Sequence, residues 1–320
     1  MILVLPQLPC KNRYTEDWIK VWVRELSKLG VNFEILGHDV AGSVTKFFTN
    51  PEYALRYECF QIKALSQKDC LDKVLCLDGD FPGLLCAAIP TLKLTNPKAK
   101  FYTYLHAGSW CNGDIFCGIP GKRQSERAIF DTYDKVFVAT DYHKKKIEEC
   151  FGEKFDNLMV VGFPFYRKDV YAYAKPLPFE EKIGVVINGR LEQSSSNLME
   201  KIKKRFRYTD ISVLHAQSRK EYYDLLNKAR VVVSLKIEET FGIGAMEAYV
   251  LGALVLNPKS YAYPEVMGDE HMLYSDEDDL IKKVGFFLNP LSENFFQNKV
   301  SMEQYEQVIP NIVSHIEGDG

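Results

Sequence analysis

Short apolar, often β-branched runs alternate along the chain with longer stretches in which apolar positions recur every three or four residues. The short runs predict buried strands, and the longer stretches predict amphipathic helices. Strands are expected at residues 1–5, 32–36, 73–77, 100–105, 135–139 and 158–161, then at 183–188, 210–214, 230–235 and 253–256. A helix over 15–29 ends at Gly30, and another over 242–251 follows the strand 230–235. This alternation is the pattern of doubly wound parallel sheets. It breaks once, where Phe163-Pro164-Phe165 leads on to Lys175-Pro176-Leu177-Pro178, so that stretch reads as an interdomain connection. The chain should therefore divide into an α/β domain over 1–165, a second over 166–300, and a helical tail over 301–320 packed back on the first. Ligands are expected in the cleft at the C-terminal ends of the strands.

Length and composition agree with two domains. A chain of 320 residues with 46% hydrophobic residues can fill two cores of about 150 residues each. No apolar run reaches the roughly 18 residues of a membrane-spanning helix, and Met1 to Pro6 is short for a secretory signal, so a cytoplasmic location is expected. Eight cysteines without C-x-x-C spacing read as reduced, packed thiols. With a net charge of −3, neither half advertises a nucleic-acid partner. The basic clusters, such as Lys144-Lys145-Lys146, are solvated helix faces in the plainest account, although a phosphate-bearing acceptor or a membrane surface would also suit them.

The densest chemistry lies at Glu239-Thr240-Phe241-Gly242-Ile243-Gly244-Ala245-Met246-Glu247. Glu239 falls in the loop after a strand, and Glu247 within the first two turns of the next helix. Gly242 and Gly244 free the turn sterically, so the first helical N–H groups can face an anion such as a diphosphate. Glu247 can accept from vicinal hydroxyls, as acidic residues do with ribose in nucleotide-binding folds, and Glu239 is placed for a second polyol.

The pattern E-x-F-G-x-x-x-x-E-A, with Gly252-Ala253 and Pro264-Glu265-Val266 after it, resembles the donor-site signature of retaining GT-B glycosyltransferases of group 1, the glycogen-synthase-like and mannosyltransferase-like enzymes. The resemblance implies a GT-B fold, two Rossmann-like domains facing a central cleft, with a nucleoside diphosphate sugar as co-substrate and no metal or other cofactor. It implies donor contacts from Glu239 to the sugar, from Glu247 to the ribose, and from the amides of Thr240, Phe241, Gly242, Ile243 and Gly244 to the diphosphate. Gly189-Arg190 matches the position from which the family's arginine reaches the diphosphate. The family's lysine six residues later is replaced here by Ser196. His106, after the strand 100–105, matches a histidine that reaches the donor sugar near its reactive carbon.

On the acceptor side, Asp78-Gly79-Asp80 follows a strand, and Lys11 and Arg13 lie in a first loop lacking the family's Gly-Gly pair. Asp78 and Asp80 read as a turn, as acceptor ligands, or as the Asp-x-Asp of a metal-dependent transferase. The expected activity is hexose transfer from a UDP- or GDP-sugar to a saccharide, a lipid or a modified nucleic-acid base. The alternatives are an inactive nucleotide-sugar-binding partner subunit, favoured by Ser196, and the metal-dependent transferase.

Overall fold

The computed structural model describes the chain except residues 12, 38–50, 115, 189–192, 236–237, 290–291, 293–299 and 319–320, and the side chains of 51 and 193–196. It separates into two compact units, Met1–Pro164 with Glu306–Gly320, and Phe165–Tyr305.

The first unit is a six-stranded parallel sheet in the order β2-β1-β3-β4-β5-β6, with β1 Ile2–Leu5, β2 Phe33–Ile35, β3 Lys73–Cys76, β4 Lys100–Tyr104, β5 Lys135–Val138 and β6 Leu158–Val160. Helices α1 Tyr14–Lys28, α2 Pro51–Ser66, α3 Leu85–Thr95, α4 Lys122–Thr132 and α5 Asp141–Phe151 connect them. In α1, Trp18, Trp22 and Leu26 recur every four residues and are buried, while Glu16, Asp17 and Lys28 complement the helix dipole at its two ends. Each such large side chain removed from water contributes roughly 1.5–3 kcal/mol.

The second unit is a five-stranded parallel sheet in the order β11-β10-β9-β7-β8. Its strands are β7 Ile183–Asn188, β8 Ile211–Val213, β9 Ala229–Ser234, β10 Leu254–Pro258 and β11 Leu273–Tyr274. Its helices are α6 Arg167–Tyr171, α7 Gln193–Arg205, α8 Arg219–Lys228, α9 Ile243–Val250, α10 Tyr263–Met267, α11 Glu277–Phe287 and α12 Glu303–Glu306, the last ending one residue into the first unit. Helix α13, Val308–Glu317, belongs to the first unit and buries Val308, Ile309, Ile312, Val313 and Ile316.

Both sheets are α/β and doubly wound. In each, the direction of winding reverses next to the first strand, between β1 and β3 and between β7 and β9. These are the switch points at which open parallel sheets bind ligands. All eight cysteines are free thiols. No helix among the described residues is long and apolar enough to cross a membrane.

Candidate functional site

At the switch point of the first unit, Leu5 and Cys76 are paired neighbours, and the chain continues from them to Gln7 and Asp78. The Gln7 amide donates to Asp78 Oδ2 at 2.7 Å, while its own oxygen is buried with no partner among the described residues. Gln7, Tyr57, Glu58, Gln61, Asp78 and Phe81 line a cavity of about 10 Å³, room for about one water. Asp80, close enough to Asp78 for their carboxyls to interact, accepts from the backbone N–H groups of His106 and Ala107, both at 3.1 Å. Burial raises both carboxyls. Asp78 is held well above the usual range, with the nearby Asp80 charge adding to the effect, and Asp80 is pushed up to about 7 despite its two backbone bonds.

His106 lies two residues beyond the end of β4. Its Nε2 lies 2.9 Å from the Leu77 carbonyl and its Nδ1 3.2 Å from the Tyr14 hydroxyl. A carbonyl can only accept, so Nε2 carries the proton and Nδ1 takes the bond from Tyr14. The ring also meets Trp18 edge-on, with centroids 4.3 Å apart. Burial pushes its pKa down to about 4, so the imidazole is neutral near pH 7. Lys11 is exposed, and Arg13 is the half-buried N-cap of α1.

In the second unit, α9 begins beyond the end of β9 at a left-handed glycine, Gly242, φ 85°. A side chain there would be strained, and its Cβ would come within 2.7 Å of the Tyr263 ring. A Cβ on Gly244 would run into the Asn188 amide at the end of β7 and approach the Tyr222 hydroxyl to 3.2 Å. Both glycines are therefore needed for the close approach of α9 to the sheet edge. Thr240 is half-buried, Ile243 is half-buried, and Phe241 is buried edge-on to Tyr305 at 5.3 Å.

The two glutamates of this segment have opposite environments. Glu239 is exposed, and its backbone carbonyl accepts from Ala262 N at 3.3 Å. Glu247 is 5% exposed and accepts from the Tyr222 and Tyr223 hydroxyls at 2.6 and 2.5 Å. Burial raises the Glu247 carboxyl, while the two phenols and the Arg219 charge pull it back. Arg219 donates to the Tyr223 hydroxyl at 2.7 Å and lies over the rings of Tyr173 and Tyr223.

Gly189 and Arg190 lie outside the described residues. Ser196 falls in the first turn of α7, which starts at Gln193; its side chain lies outside the described residues. Sequence reasoning missed Gln7, Asn188, Tyr222 and Tyr223. A signal for the tyrosines exists: Ser218 caps α8 through Glu221 N, which fixes where that helix begins. Which face of α8 meets Glu247 is decided only by packing.

Residues 170–293 match the family described as Glycosyl transferases group 1. Over nearly its whole length the chain is similar in structure to several solved enzymes. A trehalose-6-phosphate synthase, OtsA, superposes with a TM-score of 0.66 at 11% identity, over 99% of this chain and 98% of that one. The sucrose-phosphate synthase of Thermosynechococcus elongatus gives 0.63 at 12% identity, over 100% of both chains. The UDP-forming α,α-trehalose-phosphate synthase of Burkholderia vietnamiensis gives 0.63 at 12%, over 99% and 97%. At these identities the likeness establishes the shared fold, the two-domain α/β architecture of GT-B enzymes.

Proposed function

We propose that this chain, whose second unit carries a group 1 glycosyltransferase region, moves a hexose from a nucleoside diphosphate sugar to an acceptor hydroxyl with retention at the anomeric carbon. The observation that carries the proposal is the Glu239 to Glu247 segment, set at the switch point of its sheet with α9 entered through a left-handed glycine. A diphosphate at the first turn of α9 would meet the backbone N–H groups there and the positive end of the helix dipole. Arg190 would share its charge bidentately. Glu239, exposed at the entry to α9, is assigned to the sugar hydroxyls. Glu247 addresses the ribose together with the two phenols that hold it.

His106 is neutral, as a group beside a developing oxocarbenium ion should be. The family resemblance assigns it to the donor sugar, and its tautomer is fixed by the Leu77 carbonyl. No side-chain nucleophile is assigned, because the departing phosphate can take the acceptor's proton on the same face. The assignment includes no metal or other cofactor. One of the similar structures is a UDP-forming enzyme, which puts UDP-sugars first among the donors to test. The acceptor is a saccharide, a lipid or a modified nucleic-acid base, reached from the Asp78 and Asp80 side.

The replacement of the family's lysine by Ser196 favours a second reading, an inactive nucleotide-sugar-binding subunit. A melting screen against UDP-, GDP-, ADP- and dTDP-sugars, followed by assay of the stabilising donor, separates the two. Stabilisation with turnover, lost in Glu239→Gln, supports the transferase; stabilisation without turnover supports the binding subunit. Failure of every nucleotide sugar to stabilise the protein would sink both.

A further inference from the structure

The strands of the second unit end in a row of polar side chains. Asn188 of β7 is paired with Ser234 of β9. One step beyond the pair Leu256 with Val233, Asn257 of β10 falls beside Ser234. Residues in register on neighbouring strands point to the same face. The Asn188 amide lies against Gly244, so this row faces the first turn of α9.

Asn257 stands out in the row with two atoms unmatched among the described residues, beside the single unmatched hydroxyl of Ser234. It is 0% exposed, and neither its amide nitrogen nor its oxygen has a hydrogen-bond partner among the described residues. Burying a carboxamide without partners is unfavourable, and the preceding residues Leu254, Val255 and Leu256 fill the same strand with aliphatic side chains. Three residues on, the Ser260 hydroxyl is likewise buried without a partner among the described residues. Tyr261 follows at φ 60°, the one non-glycine residue among those described with a positive φ. That conformation is strained for a side chain with a Cβ. The next residue, Ala262, donates its N–H to the Glu239 carbonyl, tying this loop to the donor-site loop. Three unfavourable features within five residues beside Glu239 fit a site kept for a ligand.

We propose that Asn257, with the loop Lys259–Ala262 that follows it, is a specificity-determining subsite for the hydroxyls of the donor sugar. A carboxamide can accept from one hydroxyl and donate to its neighbour without adding charge, which suits a vicinal diol. The amide is sealed in this structure, so engagement requires the loop to shift, and relaxation of the Tyr261 backbone offsets part of that cost. This subsite rests on the donor reading above.

The test compares the intact protein with its Asn257→Leu variant, using UDP against UDP-glucose, or GDP against GDP-mannose if the wild type prefers guanine. The leucine variant should melt higher by roughly 2–4 °C, because an orphaned amide has been removed. It should bind the free nucleoside diphosphate as the wild type does, but bind the nucleotide sugar about tenfold more weakly. Equal affinity for the nucleotide sugar would overturn the subsite while leaving the donor reading intact. A lower melting temperature, or failure to fold, would show that the amide is paired as a structural group and would also overturn it. Absence of any nucleotide-sugar binding by the wild type would instead defeat the donor reading itself.

Discussion

Replacement of Tyr223 by phenylalanine removes one of the two hydroxyls that hold Glu247. The carboxylate is 5% exposed, so water has little room to replace the lost donor. A hydrogen bond to a charged group contributes about 1.5–3 kcal/mol, and a buried acceptor left unmatched costs in that range. Tyr223→Phe should therefore destabilise the second unit by about 2 kcal/mol, and the Tyr222→Phe/Tyr223→Phe pair by about 3–5 kcal/mol. The deficit should also depend on pH. Burial holds the Glu247 carboxyl above its ordinary 4.5, so the folded state keeps this proton more tightly than the unfolded chain does. Its stabilising share is complete below about pH 4.5 and is lost as pH rises through the raised folded value. Removing a phenol that pulls the value down raises it further, so the damage grows from acid to neutral pH. Urea unfolding near pH 5 and near pH 7.5 measures this, followed by near-UV tyrosine dichroism, to which both units contribute. All three tryptophans, Trp18, Trp22 and Trp110, lie in the first unit, so their fluorescence is an internal control. A loss below about 0.5 kcal/mol at both pH values would refute the reasoning. So would an undiminished effect of Tyr223→Phe in a Glu247→Gln background, since the phenol would then not be acting on the carboxylate's charge.

Gly244→Ala should cost about 1–3 kcal/mol by overpacking against Asn188 and Tyr222, and should weaken nucleoside diphosphate binding in a titration, whereas Gly285→Ala, whose added Cβ would meet only the Phe206 ring at 3.4 Å, should leave that binding unchanged. Asp78 is held well above the usual carboxylate range, so its stabilising share is present below its ordinary 3.8 and lost as pH rises through the folded value. Asp78→Asn should cancel that loss: once the Gln7 amide turns its unpartnered oxygen toward the new N–H₂, the variant should be about 1 kcal/mol more stable than the wild type near pH 8 and no more stable near pH 4, measured by denaturant unfolding.

Fold and site were legible in the sequence to different depths. Periodicity located ten strands, each observed within about two residues of its expected ends, because a buried parallel strand is a continuous apolar run bounded by polar loops. Strand β11 escaped because Leu273–Tyr274 is two residues long and offers no period to detect. The motif around Gly242 was legible because a left-handed helix entry restricts residue type at a fixed position. The environments of Glu239 and Glu247 were not. One carboxylate is in solvent and the other between two phenols, and this depends on the face that α8 turns toward α9, a tertiary fact. The same holds for His106, whose two nitrogens are committed to groups 29 and 92 residues away.

The return of α13 to the first unit has a consequence for biosynthesis. The first unit is written in two pieces, residues 1–164 and 306–320, with the whole of the second unit between them. During translation its six strands emerge early, yet the helix carrying Val308, Ile309, Ile312, Val313 and Ile316 leaves the ribosome only after the second sheet. Until then the nascent protein presents an uncovered apolar seat, so chaperone engagement on stalled chains should persist until residues near 317 have cleared the exit tunnel.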